Sequence, residues 1–302
     1  MENILERLQR GEIIVGDGAL GTQLMLRGLK HGEPPELFNI ERPEVLEEIA
    51  GLYLDAGAEI IETNTFGASP LRLRQFSLET KVDELNRSAV EAVRRIIGDR
   101  AYIAGSVGPS AKKIKPYGNT SPEEVYDSFR VQIRALLDAG VDLICIETMM
   151  DVVEAVLAIK AARALDSKIP VMATMTFSKT PKGFFTIMGN SIQDVAVSLV
   201  ASGADIVGSN CGDGMNDMIG IAREFRQNTD APIAIQGNAG LPVAGENGEL
   251  VYKDTPEYVA GKAVELLELG VQIIGGCCGT TPDHIRAIRE KVDARRQSAP
   301  PQ

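Results

Sequence analysis

A chain of 302 residues, 44% hydrophobic and 24% charged, carries enough apolar material for a large buried core and does not have the composition of a disordered segment. Its 31 Lys plus Arg against 42 Asp plus Glu give a formal net charge of −11, which argues against a nucleic-acid or anionic-membrane partner and favours a small neutral or zwitterionic ligand. Four cysteines are too few for a disulfide scaffold, the opening residues lack a signal-peptide core, and no apolar run approaches the ~20 residues of a membrane helix, so a reduced, cytoplasmic setting is expected.

In chain order, short β-rich runs return eight times: Ile13 to Val15, Glu59 to Glu62, Tyr102 to Ala104, Asp142 to Ile146, Val171 to Thr174, Asp205 to Val207, Pro232 to Ile235 and Val271 to Ile274. Between them lie amphipathic stretches such as Pro43 to Ala56, Val82 to Ile97, Pro122 to Ala139 and Pro256 to Leu269, with apolar residues at helical spacing and prolines near their first turns. Several of these close on a glycine, at Gly57, Gly140, Gly203 and Gly270, where a left-handed turn stops a helix. Eight such units predict an α/β fold, a single (β/α)8 TIM barrel over residues 1–293, with residues 294–302 as a disordered tail; an open doubly wound sheet is the alternative. Longer loops from Lys112 to Ser121, Ser178 to Asn190 and Leu241 to Asp254 read as mobile covers over one face.

In a barrel the residues just after each strand share the carboxyl-end face where chemistry is done. Here they are Asp17, Asn64, Ser106, Glu147, Asn210, Cys211, Asn238, Cys277 and Cys278, a polar and thiol-rich set. Gly275-Gly276-Cys277-Cys278-Gly279 and Asn210-Cys211-Gly212 each follow an apolar run, so three thiols in matching settings point to one metal. Zinc accepts thiolates, and a catalytic zinc with three protein ligands keeps one position for water or substrate. A substrate thiol entering there gives up its proton readily, and alkylation of a thiol is the chemistry implied. The competing readings are a buried core cysteine at Cys211, and a metal-free vicinal pair or a phosphate loop at Cys277-Cys278. Asp17 reads equally as a turn-capping residue, and Asp17 or Glu147 as a carboxylate for a substrate ammonium; a salt bridge is the alternative for Glu147. Cys145 lies within a strand and reads as core; His31 and His284 follow no strand and read as structural or surface.

Gly16-Asp17-Gly18-Ala19, Glu62-Thr63-Asn64-Thr65-Phe66, Gly105-Ser106-Val107-Gly108-Pro109, Ile146-Glu147-Thr148, Asn210-Cys211-Gly212 and Gly275-Gly276-Cys277-Cys278-Gly279 resemble the homocysteine S-methyltransferase family over about Gly11 to Val292. Within it the chain looks most like the homocysteine-binding module at the start of cobalamin-dependent methionine synthase. The resemblance implies a zinc barrel with Cys211, Cys277 and Cys278 as ligands and the homocysteine sulfur as the fourth, Asp17 and Glu147 on the substrate ammonium, Asn64 and Ser106 in the substrate site, and Asn238 as an occasional fourth ligand before substrate arrives. The betaine-using branch carries aromatic residues where this chain has Gly67 and Thr148, so a cage for a quaternary ammonium is not expected. A methyl-corrinoid such as methylcobalamin, held by a separate domain or corrinoid protein, is the expected donor. S-methylmethionine, S-adenosylmethionine or another thiol acceptor are the alternatives.

Overall fold

The computed structural model describes residues 1–245 and 250–298. Its eight central strands are β1 (Ile14–Val15), β2 (Ile60–Glu62), β3 (Tyr102–Val107), β4 (Leu143–Met149), β5 (Val171–Met175), β6 (Ile206–Cys211), β7 (Ile233–Gly237) and β8 (Ile273–Gly276). They form one parallel sheet in the order β1-β8-β7-β6-β5-β4-β3-β2. A bridge between Gly16 and Ile60, with Glu59 N donating to the Val15 carbonyl at 2.7 Å, closes the ends into the expected barrel.

The strands are apolar on both faces, as parallel strands under helices must be. Side chains of one parity, Ile14, Ile60, Tyr102, Ala104, Leu143, Cys145, Met172, Ile206, Ala234 and Ile273, pack together with Ile4 and Leu8 of the N-terminal helix Ile4–Gln9. The other parity, including Val15, Ile61, Ile103, Ile144, Ala173, Val207, Ile235 and Ile274, packs against the surrounding helices. Each Val, Leu, Ile or Met side chain among them withdrawn from water contributes about 1.5–3 kcal/mol. Register partners across adjacent strands share a face, so Ser106, Cys145, Met172 and Ile206 form one layer inside the barrel. Two residues further along β2, β4 and β7, and four along β6, the same parity delivers Glu62, Glu147, Gln236 and Asn210 to the upper end of the interior.

The helices Pro43–Asp55, Val82–Ile97, Pro122–Asp138 and Pro256–Glu268 lie within one residue of the sequence expectation. Ser121 and Glu124 form a reciprocal capping box, and Thr255 caps the N-terminus before Pro256. The four closing glycines, Gly57, Gly140, Gly203 and Gly270, all have positive φ between 78° and 104°. The last helix, Pro282–Ser298, continues through 294–298, which composition alone assigned to the tail. Arg296 holds it there by donating to the Ile13 carbonyl and approaching Glu59 at 3.4 Å, while Arg289 reaches Glu59 at 2.7 Å. The remainder of that tail, 299–302, lies outside the described residues. The loop Ser178 to Asn190 contains an antiparallel hairpin, Ser178–Thr180 with Gly183–Phe185. Leu241 to Asp254 contains another, Val243–Ala244 with Leu250–Val251, and 246–249 between them lie outside the described residues. Among the described residues no helix is long and apolar enough to cross a membrane.

Candidate metal centre and substrate cavity

Cys211 ends β6 with φ 64°, a left-handed conformation that turns its side chain out of the strand's alternation toward the barrel axis; Gly212 follows at φ 71°. Strand β6 reaches this position beside β7 because Gly208 has no side chain: a Cβ there would lie 1.8 Å from the Ala234 carbonyl oxygen. Cys277 and Cys278 sit on the loop after β8. Its backbone is fixed by Cys277 N to Gly237 O (2.9 Å), Ala239 N to Cys278 O (3.0 Å) and Thr280 Oγ1 to Cys277 O (2.7 Å). The flanking glycines are needed for contact, since a Cβ at Gly276 would meet Thr280 at 2.2 Å and one at Gly279 would meet Tyr252 at 2.1 Å.

The three Sγ atoms lie within 4.8 Å of one another, and all three cysteines are free. Without a cation they share protons: Cys277, then Cys278, donates toward Cys211 and depresses its pKa to about 3. The Cys211 contact raises Cys277 well above the ordinary thiol value and Cys278 to about 11. Three convergent soft donors fit a zinc ion with three protein ligands and an open fourth position.

The sulfurs form one end of a cavity of about 290 Å³. Its other end is acidic and buried. Glu147 accepts from Ser106 Oγ at 2.5 Å and Asn210 Nδ2 at 3.2 Å, and the same Asn210 nitrogen lies 3.9 Å from Cys277 Sγ, so one amide spans the distance between thiols and carboxylate. Asn210 is itself held by Thr148 N (2.7 Å) and Thr174 Oγ1 (2.9 Å) on its oxygen. Glu62 accepts from Gln236 Nε2 at 2.9 Å and faces the Cys145 thiol at 3.5 Å. Asp17 Oδ2 accepts from the Glu62 backbone N–H at 2.9 Å, and its Oδ1 is buried without a partner. Burial raises the pKa of all three carboxyls, and the charge of Glu62 adds to the rise at Asp17 and Glu147.

Of the residues expected from sequence, Cys211, Cys277, Cys278, Glu147, Asn64 and Ser106 line this cavity. Asn64 is committed to the wall, its Nδ2 donating to Pro35 O and Asn39 Oδ1 at 2.7 Å each. Asp17 and Asn238 do not line it. Asp17, two residues past the end of β1, borders a small void that it shares with Leu20, Glu62 and Asn64, which also line the cavity, and with Tyr53. Asn238 lies beside the thiols, its Nδ2 donating to Gly212 O at 2.6 Å and its Oδ1 buried without a partner. Cys145 is core, as expected, though its thiol faces Glu62. His284 is buried between Thr281 and the Asp254 carbonyl, and His31 is exposed. Sequence reasoning missed Glu62 and Gln236 as wall residues; parity places them there only once the structure shows that Ile60 and Ala234, two residues earlier, face inward.

The sequence profile of the homocysteine S-methyltransferase family matches residues 14–292. The chain belongs to the homocysteine S-methyltransferase family. It is 32% identical to the methionine synthase of Mycobacterium leprae (strain TN) over 308 residues, covering 96% of this chain and 25% of that protein. The corresponding figures for the methionine synthase of Mycobacterium tuberculosis (strain ATCC 25618 / H37Rv) are 32% over 301 residues, 93% and 24%. The chain thus spans about a quarter of the length of these relatives. The fold matches the metallated homocysteine methyltransferase MmuM from Escherichia coli with a TM-score of 0.78 at 23% identity, covering 95% of this chain and 98% of that one. This member of the homocysteine S-methyltransferase family carries its cysteine triad at the carboxyl end of the barrel strands, where the motif pattern placed it.

Proposed function

We propose that this homocysteine S-methyltransferase binds zinc through Cys211, Cys277 and Cys278 and methylates homocysteine to methionine, with the methyl group arriving on a corrinoid carried by another domain or protein. The observation that carries the reading is the two-ended cavity: three thiols converge at one end, buried carboxylates lie at the other, and Asn210 touches both. Homocysteine has a thiol and an ammonium separated by a short aliphatic spacer, and fits that separation. Zinc in the triad supplies a Lewis acid that holds the incoming thiol deprotonated near neutral pH. The chain's own groups do the remaining work. Glu147, oriented by Ser106 and Asn210, and Asp17, whose Oδ1 is buried without a partner, attract the ammonium; Asn64 shapes the wall, and the unpartnered Asn238 amide oxygen is the candidate fourth ligand before substrate binds. In the transfer the substrate sulfur forms the new C–S bond, the thiol proton leaves to solvent, and the electron pair of the broken methyl bond stays with the donor.

The donor reading rests on what surrounds the cavity. Among the described residues Phe66 is the single aromatic lining it, and Gly67 and Thr148 bring no ring, which leaves the cavity without a quaternary ammonium cage. Among the described residues the four most exposed large apolar side chains, Ile187 (79%), Leu26 (73%), Tyr117 (73%) and Leu241 (59%), all lie on segments that follow barrel strands β5, β1, β3 and β7. Such a rim suits docking of a partner that brings the methyl group to the mouth. Zinc-loaded protein is expected to demethylate methylcobalamin slowly in the presence of homocysteine and to be inert with betaine. Rapid turnover with S-methylmethionine or S-adenosylmethionine, and none with methylcobalamin or a methylated corrinoid protein, would replace this donor assignment.

A further inference from the structure

Three protein thiolates and a substrate thiolate gathered at one metal pose a problem of selectivity, because an electrophilic methyl group is open to attack by any of the four sulfurs. Each protein sulfur has its own hydrogen-bond donor. Asn210 Nδ2 lies 3.9 Å from Cys277 Sγ. Cys211 accepts from the Gly212 backbone N–H and is hydrogen-bonded to the Asn238 side chain. Cys278 is hydrogen-bonded to the Tyr252 hydroxyl, which comes from a different loop. Tyr252 is half-buried and directly follows Leu250–Val251; its ring fills the space over Gly279, where an added Cβ would lie 2.1 Å from Tyr252 Cγ. Two residues on, Asp254 N donates to the Ala239 carbonyl at 3.1 Å, and Ala239 N donates to the Cys278 carbonyl at 3.0 Å. Thr281 N donates to His284 Nδ1 at 3.1 Å, which leaves the ring proton on Nε2 to donate to the Asp254 carbonyl at 2.9 Å. The segment carrying Tyr252 is thus tied both to the loop after β7 and to the helix after the Cys277-Cys278 loop.

We propose that Tyr252 is a positioning residue whose hydroxyl protects the ligand Cys278 from methylation, so that the methyl group is taken by the substrate sulfur. This rests on the reading that the triad binds zinc and that the reaction alkylates a thiol. A phenol is a donor near neutral pH, and a donor on a thiolate draws charge from the sulfur lone pair and makes it a poorer nucleophile. The ring over Gly279 also stands beside that sulfur and restricts approach to it. A substrate sulfur that arrives without such a donor keeps its charge and reacts first.

The test exposes zinc-loaded protein to iodomethane without substrate and follows methylation of each cysteine by peptide mass spectrometry, with zinc content measured beforehand. At each sulfur the step forms an S–CH3 bond and breaks the C–I bond, iodide leaving with the electron pair. Tyr252→Phe keeps the ring over Gly279 and removes only the donor. In it Cys278 methylation is expected to quicken by about tenfold or more, the effect of losing one hydrogen bond to a charged group, with Cys211 and Cys277 at their wild-type rates and zinc content unchanged. In cobalt-loaded protein the sulfur-to-metal charge-transfer band should move to lower energy in Tyr252→Phe, because a sulfur lone pair without its donor lies higher. Tyr258→Phe, at an exposed tyrosine of the helix Pro256–Glu268, is the control and should match wild type in both measurements. An unaltered Cys278 rate, an equal rise at all three cysteines, or an unmoved charge-transfer band would each overturn the assignment. So would loss of zinc from Tyr252→Phe, which would make the hydroxyl a requirement for holding the metal. A wild type that binds no zinc would remove the reading of the triad itself, whereas failure of the variant beside a zinc-loaded wild type removes only the role of Tyr252.

Discussion

At the residue scale the two ends of the cavity make separable demands. Serine at Cys211, Cys277 or Cys278 removes a soft ligand from a three-sulfur set, and each variant is expected to lose at least ~100-fold in zinc affinity, since loss of even an outer partner costs up to that much. The barrel should remain folded, because its core rather than the metal supplies stability in a chain of this size. Cys145→Ala is the control and should keep its zinc: its thiol faces Glu62, not the triad. Zinc per protein and far-ultraviolet circular dichroism decide both points, and full zinc retention by Cys211→Ser would exclude that sulfur. The carboxylates give a pH signature. Burial raises the pKa of Glu62 in the folded state, so folding takes up protons relative to the unfolded chain above the ordinary carboxylate range. That contribution to stability is complete below the unfolded pKa and is lost as pH rises through the folded one. Glu62→Gln removes it and relieves repulsion on Asp17 and Glu147. The difference in Tm between Glu62→Gln and wild type, both without substrate, is therefore expected to grow from pH 5 to pH 8; a difference independent of pH would show that folding does not raise the Glu62 pKa.

At the scale of elements, β6 is the strand whose placement decides the metal site, because it ends in Cys211 and touches β7 through Gly208. Gly208→Ala drives a methyl into the Ala234 carbonyl, and separating two central strands is expected to cost at least the 1–3 kcal/mol or so of ordinary overpacking and to weaken zinc binding together with stability. Gly261→Ala, in the helix Pro256–Glu268 with nothing within 4 Å of the added Cβ, should instead stabilise by about 0.5–1 kcal/mol. Denaturant unfolding of the two variants checks the contrast. Strand and helix positions were legible because apolar runs alternate with amphipathic ones and because glycines mark the helix ends. The face of each strand was not legible. Ile14 and Val15, or Ile60 and Ile61, are equally apolar whichever side they take, so nothing in the sequence says that Glu62 points inward. Cys211 is the opposite case: its left-handed backbone departs from strand alternation, and only its motif and the adjacent glycine betrayed its position.

At the scale of the molecule, the question is how a methyl group reaches a sulfur at the bottom of a barrel mouth. A cavity of about 290 Å³ with thiols at one end and carboxylates at the other suits an amino acid and has little room for a macrocycle, so a corrinoid would have to approach from outside and meet the rim. Tyr117 lies on a loop that also carries Lys112, Lys113 and Lys115, a basic segment on a chain of net charge −11, which favours a partner with an acidic margin around its apolar contact. Tyr117→Asp and Leu241→Asp change exposed positions, where folding stability is usually altered by no more than about 0.5 kcal/mol. With a methyl-corrinoid protein as donor, kcat/KM is expected to fall by about tenfold or more in each, the cost of losing one well-placed contact residue. With free methylcobalamin it should stay at the wild-type value, because the free cofactor does not need the rim to dock. Equal rates for wild type and variants with the protein-borne donor would remove the rim from the reaction, whereas equal losses with both donors would place Tyr117 and Leu241 in the chemistry of the cavity and not in docking.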